Sequence, residues 1–113
     1  MNNRTIKEWQ EAIHACALKK GWWKVRDGSA RNFGEILALM HSELSEALEA
    51  YREGRPLFYT SDLKPEGIAT ELADCIIRIL DWAEFEGVDM GAIIEAKHVY
   101  NKTRPYRHGG KKA

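Results

Sequence analysis

Two short acidic words carry the first chemical signal in this chain. Glu43 and Glu46 form an E-x-x-E word, and Glu71 and Asp74 an E-x-x-D word, with 24 residues between them. On a helix, residues three apart share a face, so each word sets two carboxylates side by side, where like charges repel. Two such pairs on neighbouring helices would gather four negative charges in one place. A hard divalent cation answers that repulsion: Mg²⁺ takes oxygen ligands in octahedral geometry and keeps waters that exchange with phosphate oxygens. Its charge would hold all four acids ionised. Either pair alone is an ordinary solvated helix face. Together they interrupt apolar faces, repeat on two helices, and have few basic neighbours. Arg78, four residues after Asp74, is the exception and is spaced to pair with it.

The elements that must position these acids are legible as helices. Thr5 and Glu8 make a capping box, and Ile6, Trp9, Ile13, Cys16 and Ala17 recur at helical spacing, which predicts a helix over 6–20. Residues 21–32, with Trp22, Trp23 and the Asp27-Gly28 turn signal, read as an aromatic loop. Asn32 and Glu35 repeat the capping logic and open a helix over 33–52 that lacks Gly beyond its first turn and has no Pro. It carries one apolar stripe (Leu37, Met40, Leu44, Leu48, Tyr51) and a second (Ile36, Leu39, Ala50) into which Glu43 and Glu46 are set.

Residues 53–67 form a connection long for a bundle, expected to be held to the core by Leu57-Phe58-Tyr59 and to serve function or an oligomer contact. A third helix is predicted over 66–86, with Ile68, Leu72, Cys75, Ile76, Ile79, Leu80 and Ala83 as its stripe. Asp89 caps a fourth that runs to about Thr103, before Pro105; Ile93, Ile94, Lys97, Asn101 and Arg104 mark its faces. No run has the alternation of a strand. The expected class is all-α: one four-helix, bundle-like domain over 1–113 with a basic tail from about 104.

At 113 residues and 12.9 kDa the chain can build one core. Any site that needs a second wall must borrow it from another copy. Its zero net charge is strongly partitioned: residues 1–31 hold a balance of +4, 32–96 of −10 and 97–113 of +6. That pattern fits cations held centrally and a polyanion at the edge, and it disfavours a nucleic-acid module, whose backbone the acidic middle would repel. No apolar run is long enough to span a membrane, the opening MNNRTIKEWQ has no signal-peptide core, and two cysteines make no disulfide framework. A cytoplasmic location is expected. Cys16 and Cys75 read as buried small hydrophobes, and Trp9 and Trp82 as core. Trp22 and Trp23 either stack on a nucleobase or cover the bundle end.

With the acid words, the flanking stretches HSELSEALEAYR and ELADCIIRILDWA and the closing KHVYNKTRPYRHGGKK, residues 32–112 resemble the MazG-like all-α nucleoside triphosphate pyrophosphohydrolases. The resemblance implies that Glu43, Glu46, Glu71 and Asp74 bind Mg²⁺, with Mn²⁺ able to substitute. It implies that Lys97 and Asn101 approach the triphosphate and that Arg104 and the basic tail close over it. It further implies cleavage between the α and β phosphates to nucleoside monophosphate and pyrophosphate, by a homodimer or dimer of dimers. Water is then the nucleophile, with Glu46 as the chosen base. His41 lies two residues before Glu43, but Mg²⁺ disfavours imidazole, so it is assigned to the core edge or to orienting a ligand.

Three other readings stand beside this one. A phosphoribosyl-nucleotide pyrophosphohydrolase of the same superfamily differs only in substrate. A non-catalytic helical regulator would use the acids as a cation clamp for a bound nucleotide or partner. A di-iron carboxylate bundle would use Glu95-x-x-His98, but such bundles use that word on two helices and it occurs here once.

Overall fold

The computed structural model describes residues 3–24 and 31–106. Four helices lie where the sequence signals put them, three of them by their caps and α3 by its apolar stripe: α1 at Ile6–Lys19, α2 at Phe33–Arg52, α3 at Ile68–Glu86 and α4 at Met90–Lys102. Thr5 and Glu8 close both arms of their capping box, at 3.1 and 2.8 Å, and the side chains of Asn32 and Asp89 accept from the backbone of Glu35 and Ala92. Glu35 does not complete a box, because its carboxylate pairs with Arg31 instead.

Between α2 and α3 the sequence reading misses a β-hairpin. Strand β1, Tyr59–Ser61, runs antiparallel to β2, Lys64–Glu66, with Tyr59 opposite Glu66 and Ser61 opposite Lys64. Asp62 and Leu63 make the turn with φ of 51° and 68°, the left-handed pair a tight hairpin requires, and Leu63 stands 96 % exposed at its tip. Leu57 and Phe58 do not reach the core; both are largely exposed. What ties the connection down is backbone: the carbonyls of Pro56 and Leu57 accept from the N–H groups of Ile68 and Ala69, at 3.3 and 2.8 Å, and so cap the start of α3. Gly67, at φ 112°, permits this, since a Cβ there would lie 2.5 Å from the Leu57 carbonyl oxygen.

Helix α3 is the centre of the fold, with α1 and α2 packed along it. Ala17, Trp23, Ile36, Met40 and Cys75 form the core, and Ile79 and Trp82 pack against it; the Trp82 ring also meets Phe33 at 5.2 Å. The buried line of α2 is Ile36, Met40, Glu43 and Ala47. The leucine stripe of the same helix is therefore mostly outside: Leu37, Leu44, Leu48 and Tyr51 are exposed, as are Leu72 and Ile76 on α3. Trp9 also faces solvent, with the Arg4 guanidinium 4.9 Å over its ring, and Cys16 is exposed while Cys75 is buried.

Helix α4 buries none of its residues, so the fold is a three-helix layer with a fourth helix at its side rather than a closed four-helix bundle. The joint is a side chain that hydrophobic patterning does not reveal. Gln10, fully buried at 0 % exposure, donates to Glu84 (3.0 Å) and to the Val88 carbonyl (2.7 Å) and accepts from the Met90 N–H (3.2 Å). One amide thus joins α1, the end of α3 and the start of α4. With both its N–H groups and its oxygen partnered, burial leaves neither end unsatisfied; an apolar side chain there would strip partners from the Val88 carbonyl and the first N–H of α4. Gln10 and Lys7, whose ammonium lies 2.9 Å from the same carboxylate, hold Glu84 below the ordinary carboxylate range.

Candidate metal centre and adjoining cavities

The E-x-x-E and E-x-x-D words land on α2 and α3, the helices that pack together along their length. Glu43, Glu46 and Glu71 converge, each offering a carboxylate oxygen within 4.8 Å of the others. They differ in setting: Glu43 is buried, Glu71 half-buried and Glu46 exposed. Asp74 stands beside them without joining the convergent set. It remains within electrostatic reach of Glu46 and Glu71.

The cost of this gathering is visible in the protonation of its members. Glu71 is pushed up to about 7, first by burial, then by its hydrogen bond to Glu46, then by the charges of Glu46, Asp74 and Glu43. Asp74 is raised as well, again chiefly by burial and with Glu46 adding to it, while Arg78 and Lys64 oppose the rise. Arg78 does not hydrogen-bond Asp74, as its spacing predicts. Its Nε donates across to Glu43 on α2 at 2.9 Å.

The donor set fits a hard divalent cation: three carboxylates from two helices, one of them, Glu71, raised to about 7 by burial and by its acidic neighbours. His41 takes no part in it and lies exposed on α2.

A cavity opens on either side of the acids. The larger, about 450 Å³, is walled by Ile13, Ile36, Leu39, Ile77, Trp22 and Trp23, with Arg31, Arg78, Asp81, Glu43 and Asp74 as its polar groups. The smaller, about 320 Å³, lies under the hairpin and is lined by Glu46, Glu71 and Asp74 with Glu49, Glu53 and Glu66, and by Arg55, Lys64 and Tyr59. Asp74 belongs to both. The first suits a flat apolar ring with polar edges; the second is bordered mainly by charged residues, the carboxylates among them.

The two loop tryptophans have separate tasks. Trp23 is buried and stacked on Phe85, with ring centres 4.0 Å apart and planes within 9°. Its Nε1 donates to both oxygens of Asp81, at 3.0 and 3.1 Å, and His14 approaches the same carboxylate at 2.7 Å. Trp22 is half-exposed, its ring 5.8 Å from the Arg78 guanidinium carbon. The Asp81, His14 and Phe85 contacts escape sequence reasoning, although Asp81, seven residues after Asp74, is on the helical face that the acid word defines.

Lys97, Asn101 and Arg104 are not brought to the acids within one chain. They sit on α4 and just after it, line neither cavity, and Lys97 and Arg104 instead flank the ring of Tyr100, at 5.0 and 5.9 Å. The tail beyond Tyr106 lies outside the described residues. No described helix is long and apolar enough to cross a membrane. No family model, curated protein or solved structure matches the chain.

Proposed function

We propose that this protein is a Mg²⁺-dependent hydrolase that splits nucleoside triphosphates between the α and β phosphates, releasing nucleoside monophosphate and pyrophosphate. The observation that carries the reading is the convergence of Glu43, Glu46 and Glu71 beside an apolar, aromatic cavity. A nucleotide is one of few small molecules with a flat ring at one end and a polyanion at the other. The motif resemblance to the MazG-like enzymes chooses the bond.

Glu43, Glu46 and Glu71 would hold the cation, with Asp74 beside them; Mg²⁺ bound there offsets triphosphate charge and acidifies a water. Glu46, the exposed acid of the three, is the one open to accept a proton from an attacking water. Trp22, Trp23 and the aliphatic wall exclude solvent around the ring. In EDTA activity should vanish, and with Mg²⁺ a panel of NTPs and dNTPs should give equal amounts of monophosphate and pyrophosphate. Hydrolysis in ¹⁸O-water should label the α phosphate of the monophosphate. First products of diphosphate and orthophosphate would overturn the assignment, and no hydrolysis of any nucleotide would leave the acids as a clamp in a binding protein.

The same reading includes assembly. Leu44 and Leu48 of α2, Leu72 and Ile76 of α3, and Ile93, Ile94 and Val99 of α4 are all exposed, more apolar surface than one small domain ordinarily leaves in water. A second copy would cover it, and would be the source from which Lys97, Asn101 and Arg104 reach a triphosphate. Light scattering should report a dimer or dimer of dimers at micromolar concentration; a monomer there sinks this part of the reading.

A further inference from the structure

Arg78 is the cation already at the acid cluster. Its Nε lies 2.9 Å from a Glu43 oxygen, and Glu43 is the most buried of the three convergent acids. A divalent ion drawn to these acids must compete for that carboxylate, because a guanidinium and a doubly charged ion at the same group repel one another. The guanidinium has somewhere to go. Arg78 lines the 450 Å³ cavity, its charged end faces the half-exposed ring of Trp22, and Asp74 and Asp81 on its own helix line the same space. Those two carboxylates favour a cation that stays within the cavity over one that leaves for solvent. Arg31, the other cation of the lining, is engaged by Glu35 and the Trp22 carbonyl.

We propose that Arg78 is an exchangeable counter-ion: a divalent cation displaces it from Glu43, and the freed guanidinium turns along the Trp22 face into the cavity, where it binds an anionic group of the substrate. This rests on the metal-site reading above and adds an order of events to it. The cavity gains a free positive charge only once the cation is bound, so cation precedes anion. Arg78 is thereby a positioning residue for the phosphate nearest the ring.

The test uses the full chain and Mg²⁺ or Mn²⁺ alone, without nucleotide, read by calorimetry and by tryptophan fluorescence. Mg²⁺ should change the emission of the wild type, and the change should be lost in Trp22→Phe even though that variant still takes up the cation by calorimetry. Arg78→Met should bind the cation about tenfold tighter, since the competing charge is gone, and should show no Trp22 response. Arg78→Gln serves the same purpose should the Met variant not fold. Tighter binding in the variant with no Trp22 response in the wild type would mean that Arg78 repels the ion without moving, and overturns the exchange. So would equal affinity, or a Trp22 response that survives the loss of Arg78; in each of these cases the metal site stands. No cation heat from wild type or variant at pH 8 would remove the metal site, and the exchange with it.

Discussion

Glu71→Gln is expected to lower turnover by about 10²-fold or more while making the protein more stable in EDTA at pH 8. Both effects come from one cause, since the substitution removes a ligand and also a charge from a crowded cluster. The wild-type carboxyl, pushed up to about 7 in the fold against an ordinary 4.5, binds its proton more tightly folded than unfolded. Between those values the native state holds more protons than the denatured state, so its stability falls as pH rises through the window. The contribution is complete below about pH 4.5 and gone above about 7. Asp74, raised in the same direction, adds a slope of the same sign beginning at lower pH.

Cation binding must expel the Glu71 proton, so Mg²⁺ affinity should climb with pH and level off above about 7. Melting curves at pH 5.5 and 8, in EDTA and in Mg²⁺, separate these effects. The wild type should be more stable at pH 5.5 in EDTA and gain most from Mg²⁺ at pH 8, and Glu71→Gln should flatten the first difference and abolish the second. Unchanged turnover and unchanged Mg²⁺ stabilisation in the variant would remove Glu71 from the site.

Trp23→Ala should cost about 3–5 kcal/mol, the largest stability loss expected from a single side chain here. The ring is buried among Ala17, Ile36, Met40 and Cys75, stacks on Phe85 and donates to Asp81, so its removal opens a void and takes a partner from a half-buried carboxylate. Trp23→Phe should recover most of the loss, because it keeps the stack and gives up the Nε1 hydrogen bond. Denaturant unfolding followed by helical circular dichroism checks both. A cost below about 1 kcal/mol for the alanine variant would mean that the loop after α1 is not anchored through this ring.

Helix positions were readable because their signals are local. Thr5, Asn32 and Asp89 act within a few residues of themselves, and all three cap the helices that the spacing predicts. The acid pairs were readable for the same reason, and three of their four members converge where α2 and α3 lie together, with Asp74 left beside them. The hairpin was not, because three-residue strands are too short to alternate and an Asp-Leu turn lacks the glycine that marks such bends. The choice between the two apolar stripes of α2 was also beyond reach: both have helical period, and only the partner helix decides that Ile36, Met40 and Ala47 go inside. Gln10, Asp81 and the Arg78–Glu43 pair were hidden because each joins residues 35 or more apart in the chain.

The position of Asp74, on the boundary between the two cavities, bears on how such a protein can diverge. The residues that shape the larger cavity (Ile13, Ile36, Leu39, Ile77) are simple aliphatics that touch the carboxylates on neither α2 nor α3 through any hydrogen bond or ion pair. Drift among them can widen, narrow or tilt the space for a ring and leave the acids untouched. Asp74 has no such freedom, since it lines the aliphatic compartment and the ionic one together, and Glu43 and Arg78 are tied to each other by their ion pair. On the nucleotide reading proposed above, a lineage descended from this fold could therefore trade one ring for another by small, nearly neutral steps while Asp74 stayed fixed, and selectivity would be the more quickly evolving property.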